Sequence, residues 1–354
     1  MDFFTKILNK ISSVFSSSPA SAPKTAAKSS AASIMPAVKS EVKSNEITMM
    51  SEMTDEQIQI RQNREKYFDY VKNPNHKVQK NETLEKIAKK YNVSMYELME
   101  LNGLNDKSVL RLGQSLKIPP ARKIKNVKNL NDIASAMGVS PEFIKRFKRI
   151  EDSQNLPDNK FHNVPYKDSN GVATIGIGHA VKSGEKQKLT DAEVCQLCVK
   201  DLLAAEDSIK HCIGKSAYEK LPQSVREALI DMVFNKGESV ITKSEGLAYC
   251  LKTGKYEAAI NKMTYNIASK TGKEMAGLSK RRLFDISVAV KGYKGGKIPQ
   301  SNISTIQNVY NRGIQLLRQE CKEKNWNFKN QLEAYNKEVQ SYFGNLVKIK
   351  LVTQ

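Results

Sequence analysis

Apolar residues recur at helical spacing over much of the chain, which predicts a mostly helical protein of the α+β class with a few short strands. Residues 1–16 place apolar side chains on one face with Lys6 and Lys10 between them, which predicts a short amphipathic helix. Residues 17–53 are rich in Ser, Ala, Pro and Lys and predict a flexible tether, because they cannot bury enough apolar surface to fold. A helical lead-in is expected over residues 54–75.

Residues 76–120 follow the order strand, helix, helix, strand. The segments HKVQ and QSLKIP are the predicted strands. Each helix between them carries one apolar stripe, formed by Leu84, Ile87, Ala88 and Tyr91 in the first and by Met95, Leu98, Met99 and Leu101 in the second. Residues 121–140 contain NLNDIASAMGVS, which echoes TLEKIAKKYNVS but has no strand after it, so a helical connector is expected.

A helix is predicted from Pro141 to Glu151, because Ser140 is a good N-cap and proline fits the first helical turn. Its apolar stripe ends beside Glu151, where a polar loop begins, and consists of Phe143, Ile144, Phe147 and Ile150. A carboxyl group beside buried surface is desolvated, which raises its pKa toward that of a general acid working near neutral pH.

The segment YKDSNGVATIGIGH, residues 166–179, predicts a narrow hairpin, because DSNG favours a turn and the following residues alternate β-formers with small residues. Gly176 and Gly178 weaken a strand, so we expect another group to approach the backbone closely there. Asp168 lies in the polar turn and is expected to stay ionised. Two carboxyl groups in unlike surroundings, Asp168 and Glu151, are suited to glycoside hydrolysis.

Further helices are predicted after the hairpin. Thr190 and Glu193 form a capping box that opens one of them. Residues 221–238 predict a helix that buries Val225, Ala228, Leu229, Met232 and Val233. Residues 295–354 hold two amphipathic helices, for which core packing is the default; their stripes are Ile303, Ile306, Tyr310 and Leu317, then Phe328, Leu332, Tyr335, Val339 and Phe343. Trp326 at their junction is expected as a buried anchor.

The charge of the chain predicts an anionic partner, since 57 Lys and Arg residues stand against 37 Asp and Glu residues for a net charge of +20. Nucleic acid, bacterial wall polymers and acidic membranes all fit. No segment approaches the roughly 20 apolar residues that a membrane-spanning helix needs. Residues 3–15 leave membrane-surface contact, docking to a partner and an atypical export signal open.

Five cysteines, an odd number spread over 354 residues, do not suggest a disulfide framework. Cys195 and Cys198 together with His211 and Cys212 could be read as a zinc site, but a second CxxC or an HxxxH is missing. The CxxC pair lies inside the helix that begins after Thr190, so buried helix cysteines are favoured over a metal site. No metal and no cofactor are expected.

The motifs ETLEKIAKKYNVS, LMELNGL and LRLGQSLKIP in residues 76–120 resemble LysM, a family of small modules that recognise wall polymers containing N-acetylglucosamine. The resemblance implies a glycan groove formed by Glu82, Thr83, Leu84 and the loop from Asn105 to Leu110. Most relatives have Gly-Asp where this chain has Asn81-Glu82, so the details of the glycan contact differ. A LysM fold used only for protein contacts is the alternative.

The helix-terminal Glu151, followed by YKD, a turn and TIGIGH, resembles the T-even phage lysozyme family, glycoside hydrolases of bacterial walls. The resemblance covers residues 141–294 and implies a lysozyme-like domain with a small β-hairpin subdomain. It implies that Glu151 donates a proton to the leaving oxygen, that Asp168 is the base or stabilising carboxylate, and that Thr174 positions the water. His179 would orient neighbouring groups.

Later motifs extend this resemblance. Phe234, in LPQSVREALIDMVFNKGE, and Asn261, in YEAAINKM, would line the substrate cleft. The motif GLSKRRLFD implies that one of its two arginines, Arg281 or Arg282, pairs with Glu151.

Three departures from the family pattern affect the site. The insert between Glu151 and Asp168 is longer than in the best-known members, and Ala180 replaces a larger apolar residue after the histidine. Asp152 stands where many relatives have glycine, so Asp152 is an alternative acid. Glu151 is favoured because it directly continues the apolar stripe of its helix.

The two resemblances predict a modular peptidoglycan hydrolase that cleaves between N-acetylmuramic acid and N-acetylglucosamine, with inversion implied by the family. Peptidoglycan is the expected partner, no specific nucleic acid is expected, and the oligomeric state is open. The enzyme would act at the bacterial wall, either from the host cytoplasm during lysis or on a virion. The rival interpretations are a non-catalytic wall-binding or virion protein and, on charge alone, a nucleic-acid binder.

Overall fold

The computed structural model describes residue 59 and residues 63–152, 156–168, 171–264 and 274–353. The predicted helix over 1–16, the tether over 17–53 and the beginning of the lead-in lie outside these residues. The described part is mostly helical with small antiparallel sheets, which confirms the predicted fold class. Within it, no helix combines the length and apolar character needed to cross a membrane.

A two-stranded ribbon joins the two ends of the LysM-like module. Strand β1 (Phe68–Val71) pairs antiparallel with a strand after the module, Ala121–Ile124, with Phe68 opposite Ile124. The helical lead-in was therefore wrong for residues 68–71, and the helical connector was wrong for 121–124. Each segment is too short to show a period, and each becomes a strand because the other supplies its backbone partners.

The LysM-like module has the predicted order of elements. Strand β2 (His76–Lys77) pairs antiparallel with β3 (Ser115–Leu116), and helices α1 (Leu84–Tyr91) and α2 (Met95–Leu101) lie between them; Ala121–Ile124 follows as β4. Thr83 and Ser94 cap the two helices with their hydroxyl oxygens. A separate small core fills the module: Val78, Ile87, Ala88, Leu98, Leu116 and Ile118.

The hairpin region forms a three-stranded antiparallel sheet beside two short helices. Helix α3 (Leu130–Met137) and helix α4 (Pro141–Glu151) precede it, and Ser140 caps α4 as predicted. The strands are β5 (His162–Lys167), β6 (Ala173–Gly176) and β7 (His179–Ala180), in that order across the sheet. The hairpin prediction is confirmed.

A long helix, α5 (Asp191–Ile213), follows the sheet and begins with the predicted Thr190/Glu193 capping box. Cys195 and Cys198 on this helix lie in the hydrophobic core, as expected for buried helix cysteines. The remaining helices are α6 Lys215–Glu219, α7 Gln223–Lys236, α8 Ser239–Thr242, α9 Leu247–Lys252, α10 Tyr256–Lys262, α11 Ala276–Val290, α12 Gln300–Lys324 and α13 Phe328–Phe343.

The C-terminal helices α12 and α13 pack on α11 and share one continuous hydrophobic core with the lysozyme-like region. Their predicted stripes are buried at Ile306, Tyr310, Leu317, Leu332, Tyr335, Val339 and Phe343. Trp326 is 46% exposed and lies under the Lys324 ammonium group, so its prediction as a buried anchor was wrong. It sits in the loop between the helices, where a cation over the ring replaces core packing.

Polar contacts fasten the N-terminal elements to α5 and the start of α8. Arg64 places both terminal nitrogens on the Glu206 carboxylate, at 3.1 and 2.7 Å. Arg122 of β4 bonds Asp207 at 3.1 Å, and the Tyr96 hydroxyl of α2 donates to Glu238 at 2.8 Å. The Tyr96 contact holds the LysM-like module against the lysozyme-like region, and Arg64 and Arg122 fasten the segments on either side of the module.

Two further histidines, His76 and His211, make specific contacts in this part of the structure. His76 lies between the Tyr91 hydroxyl, at 3.1 Å, and Glu82, at 2.6 Å. His211 on α5 pairs with Asp106 of the module at 2.9 Å and stacks on the Tyr96 ring. Among the described residues, no group of His, Cys, Asp and Glu side chains is arranged to hold a metal ion.

Candidate active site

Glu151 lies at the C-terminal end of α4, where the helix meets the turn between β6 and β7. Its side chain is 13% exposed, and its carboxyl group pairs with Arg281 of α11, with Oε1 at 2.5 Å from Nη2. Phe143, Ile144 and Phe147 are buried on the same helix, so the apolar stripe ends beside this carboxyl as predicted.

Burial raises the pKa of Glu151 above its ordinary value, and this is the largest influence on the group. The positive charge of Arg281 opposes the increase, while the negative charges of Asp231 and Asp168 add to it. The predicted desolvation of this carboxyl is therefore confirmed. Glu151 retains its proton to higher pH than an exposed glutamate does, as a general acid requires.

Gly178 explains the predicted close approach to the hairpin backbone. Its φ is +75°, and a Cβ atom there would lie 2.5 Å from Glu151 Oε2. Gly176 has φ +66° and would bring a Cβ within 3.1 Å of Val194 Cγ1. Gly178 lets the turn after β6 pack against α4, and Gly176 lets the end of β6 pack against α5. A larger residue at position 178 would displace the Glu151 carboxyl.

Gly178→Ala should lower wall-cleaving activity by about 10²-fold, because the new methyl group must push the Glu151 carboxyl from its position. Left-handed strain should also cost roughly 1–2 kcal/mol of stability. Gly184→Ala is the matched control, since Gly184 has φ +83° with open space around its Cβ position. Comparable loss of activity in both folded variants, measured by release of reducing ends, would contradict this account.

Asp168 and Thr174 lie on opposite sides of the hairpin turn. Asp168 Oδ1 accepts the Val172 N–H at 2.8 Å, and the Asp168 carbonyl accepts the Gly171 N–H at 2.9 Å, which fixes the turn. Thr174 is buried in β6, and its hydroxyl donates to the Val172 carbonyl at 3.2 Å. Because its charge raises the pKa of Glu151, Asp168 acts in the same region as the candidate acid.

Asp152 is engaged in structural contacts of its own. It is buried and accepts hydrogen bonds from Lys148 Nζ at 3.2 Å and from the Leu156 backbone N–H at 2.8 Å. Its other oxygen lies 3.0 Å from His162 Nε2. Asp152 thus joins the end of α4 to the insert and to β5, which favours Glu151 over Asp152 as the acid.

His179 on β7 is held between two carboxylates. Its Nδ1 lies 2.8 Å from Asp201 of α5, and its Nε2 lies 3.0 Å from Glu185. The hydrogen bond to Asp201 is the largest cause of the raised pKa of His179. The histidine thus joins the small sheet to the long helix, directly after the glycine that makes room for Glu151.

A cavity of about 320 Å³ lies beside this histidine. Gly178, His179 and Ala180 form one wall, and Phe234 of α7 lies on another. The Phe234 ring also packs edge-on against Phe147 of α4, with centroids 5.0 Å apart. The structure therefore places Phe234, His179 and Gly178, the residue packed against Glu151, around one cavity.

Two other candidate residues point elsewhere. Asn261 on α10 accepts hydrogen bonds through its amide oxygen from Asn302 at 2.6 Å and Thr305 at 2.7 Å, so it holds α12 in place. Arg282 is fully buried and pairs with Asp285 at 2.9 Å. Of the two arginines that were candidates to pair with Glu151, Arg281 makes the contact. Arg282 does not, because neighbouring helical residues point about 100° apart.

The candidate glycan residues of the LysM-like module have local partners. Glu82 accepts the Gln79 N–H at 2.9 Å and contacts His76, while Thr83 caps α1. Leu84 and Leu110 pack at the edge of the module's core, and the Asn105 amide oxygen accepts the Lys107 N–H at 2.9 Å. These residues remain predicted glycan contacts.

Sequence reasoning missed Asp231, which is fully buried on α7 and binds Arg281. A signal was present, because Asp231 stands between Ile230 and Met232 in a helix predicted to be buried. An acid in such a position needs a buried partner. The pairing of Asp201 with His179 was missed for lack of any local pattern.

Two family models match the chain. The model described as phage lysozyme matches residues 159–284, and the model described as LysM domain matches residues 76–119. The phage lysozyme match begins after Glu151 and includes Asp168, Thr174, Phe234 and Arg281.

The endolysin of Salmonella phage P22 is 31% identical over 153 residues, which cover 41% of this chain and 93% of that protein. Two solved structures are also similar. The active form of the P1 phage endolysin Lyz is 16% identical, with a TM-score of 0.38, over 48% of this chain and 97% of that one. A mutant of P22 lysozyme is 26% identical, with a TM-score of 0.31, over 42% of this chain and 96% of that one.

Proposed function

We propose that this chain, which belongs to the phage lysozyme family, cleaves peptidoglycan between N-acetylmuramic acid and N-acetylglucosamine with Glu151 as the general acid. The chain is a peptidoglycan hydrolase that carries a LysM binding module. The observation that carries the assignment of the acid is the desolvated Glu151 carboxyl, packed against Gly178 and paired with Arg281.

In the proposed mechanism, protonated Glu151 donates its proton to the glycosidic oxygen as the bond to the sugar breaks. Asp168 accepts a proton from the attacking water or stabilises the developing positive charge, and Thr174 orients that water. Two carboxyl groups can take opposite roles because Glu151 is desolvated while Asp168 lies in a polar turn. The rate should fall as pH rises through the pKa of Glu151, which lies above the ordinary glutamate value.

The LysM module supplies the second half of the proposed function. It binds the glycan, and its Tyr96 and Asp106 side chains contact Glu238 and His211 of the lysozyme domain. A bound wall polymer therefore stays at a high effective concentration near the catalytic cleft. The net charge of +20 adds a salt-sensitive attraction to an anionic wall.

The direct test incubates the purified chain with peptidoglycan and measures new reducing ends. Mass spectrometry should find N-acetylmuramic acid at those ends, and proton NMR of the first product should show inversion. Asp168→Asn should release ends at least about tenfold more slowly, because an amide cannot accept the proton of water. Lys167→Gln is the control, because it removes a charge from the exposed residue next to Asp168. A wild-type chain that binds peptidoglycan and releases no ends would point to a non-catalytic wall-binding protein.

The site of action follows from the substrate. As a phage-type enzyme the chain would act at the bacterial cell wall, synthesised in the host cytoplasm and reaching the wall during lysis. Purified virions of the phage should then lack it in a mass-spectrometric survey. Its presence in virions would place the enzyme in entry instead.

A further inference from the structure

Arg281 lies between two carboxyl groups that come from different helices. On one side its Nε and Nη2 donate to the two oxygens of Asp231 at 3.0 and 2.7 Å. On the other side the same Nη2 lies 2.5 Å from Glu151 Oε1. Asp231 is fully buried on α7, so water cannot replace it as the acceptor.

The two-point contact with Asp231 fixes the plane of the guanidinium group. A bidentate pair allows far less rotation than a single hydrogen bond, because both nitrogens on one edge are held. One hydrogen of Nη2 bonds Asp231, and the same nitrogen lies 2.5 Å from Glu151 Oε1 as an ion-pair contact. The orientation of Arg281 toward the candidate acid is therefore set by Asp231, which has no hydrogen bond to Glu151 among the contacts of the described residues.

The same contact limits how strongly Arg281 can draw the proton from Glu151. An unopposed guanidinium beside a carboxyl favours the ionised form, which would leave Glu151 without a proton to donate. Asp231 shares the positive charge, and its own charge opposes ionisation of Glu151. The other titratable groups that interact electrostatically with Glu151 are Asp168 on the hairpin and the Cys198 thiol on α5.

We propose that Asp231 is a positioning residue that holds Arg281 in place and thereby sets the upper pH at which Glu151 still carries its proton. The proposal rests on the proposed role of Glu151 as general acid. Arg281 orients the acid and Asp231 restrains Arg281, so the three residues act as one unit assembled from α4, α7 and α11.

The test is the pH dependence of peptidoglycan cleavage by the full chain. Asp231→Asn removes the negative charge and one of the two acceptors, so Arg281 should pair more fully with Glu151. The alkaline limb of the profile should move to lower pH by about 1 unit. At the pH of the wild-type alkaline midpoint, activity should fall by about fivefold, and the acidic limb should stay in place.

Asp207→Asn is the matched control. Asp207 is also a buried aspartate paired with an arginine, Arg122, but this pair joins β4 to α5. The variant should affect stability without moving either limb. Asp231→Glu should recover part of the wild-type profile. A folded Asp231→Asn variant that loses activity by the same factor at every pH, with its alkaline limb unmoved, would overturn the positioning role.

Arg281→Lys tests the same unit if Asp231→Asn does not fold. A lysine ammonium cannot hold two carboxyl groups through a rigid fork, so it should stay with the buried Asp231 and leave Glu151 without its cation. The alkaline limb should then move upward by about 1 pH unit. An unmoved or lowered limb in this variant would also overturn the proposal.

Glu151→Gln separates this proposal from the proposed function. If that variant retains activity and the alkaline limb, Glu151 is not the acid and the proposed mechanism fails. If the activity disappears in Glu151→Gln while the limb of Asp231→Asn stays at the wild-type pH, only the role of Asp231 is overturned.

Discussion

Glu151→Gln should lower the rate of peptidoglycan cleavage by about 10³-fold, because a glutamine cannot donate a proton to the leaving oxygen. The fold should persist, since the neutral amide can stay beside the Arg281 guanidinium and no buried carboxyl has to be desolvated. Release of reducing ends under saturating substrate measures the rate, and circular dichroism with thermal melting checks the fold.

Asp152→Asn is the companion variant, because Asp152 is the neighbouring acid that the sequence left open. Its contacts with Lys148, His162 and the Leu156 N–H predict lower stability, with cleavage largely retained in the folded protein. The reverse outcome, in which Asp152→Asn abolishes cleavage and Glu151→Gln does not, would transfer the acid role to Asp152.

Glu206→Gln should lower the free energy of unfolding by about 3 kcal/mol at pH 7. The Glu206 side chain is fully buried and accepts bonds from Arg64 at 2.7 Å and Lys210 at 2.5 Å. Without its charge, both cations lose their buried partner. Urea unfolding monitored by helical circular dichroism measures the change, and an unchanged midpoint would show that this contact does not stabilise the fold.

The loss in Glu206→Gln should depend on pH in a definite direction. Burial alone would raise the pKa of Glu206, but Arg64 and Lys210 outweigh it and lower the pKa to about 2. A carboxyl with a lowered pKa contributes stability above its ordinary pKa and loses that contribution as pH falls through the folded value. The difference between wild type and variant should therefore be full near pH 6 and shrink between pH 4.5 and about 2.

Glu193→Gln is the control for this effect. The pKa of Glu193 is also about 2, mainly through its hydrogen bond with Lys186, but the group is exposed on the capping box of α5. Glutamine can keep the capping box, and solvent screens the lost charge. A smaller change than in Glu206→Gln is expected at neutral pH.

The attachment of the LysM module differs from the prediction, and the contact between Arg64 and Glu206 is part of that difference. The sequence predicted a module linked to the enzyme by a helical connector. In the structure, three polar contacts reach the catalytic region, from Arg64 just before β1, Arg122 of β4 and Tyr96 of α2. The module is consequently held in contact with the lysozyme domain, and glycan bound there starts close to the enzyme.

The sequence by itself determined the local elements and their order. Caps at Ser140 and Thr190 begin helices as predicted, because capping depends on residues within one turn. The apolar stripes of α4, α7 and the C-terminal helices could also be predicted, since burial of one helix face repeats every 3.6 residues. The position of Glu151 at the end of such a stripe gave the environment that raises its pKa.

Only the tertiary structure decided which groups meet across helices. It brings Arg281 rather than the adjacent Arg282 to Glu151, a choice that depends on the rotation of α11 against α4 and α7. It also places Asp231 behind Arg281. The contacts of Arg281 with Asp231 and Glu151 join residues 50 or more positions apart, and no local period encodes them; packing of the helices fixes these partners.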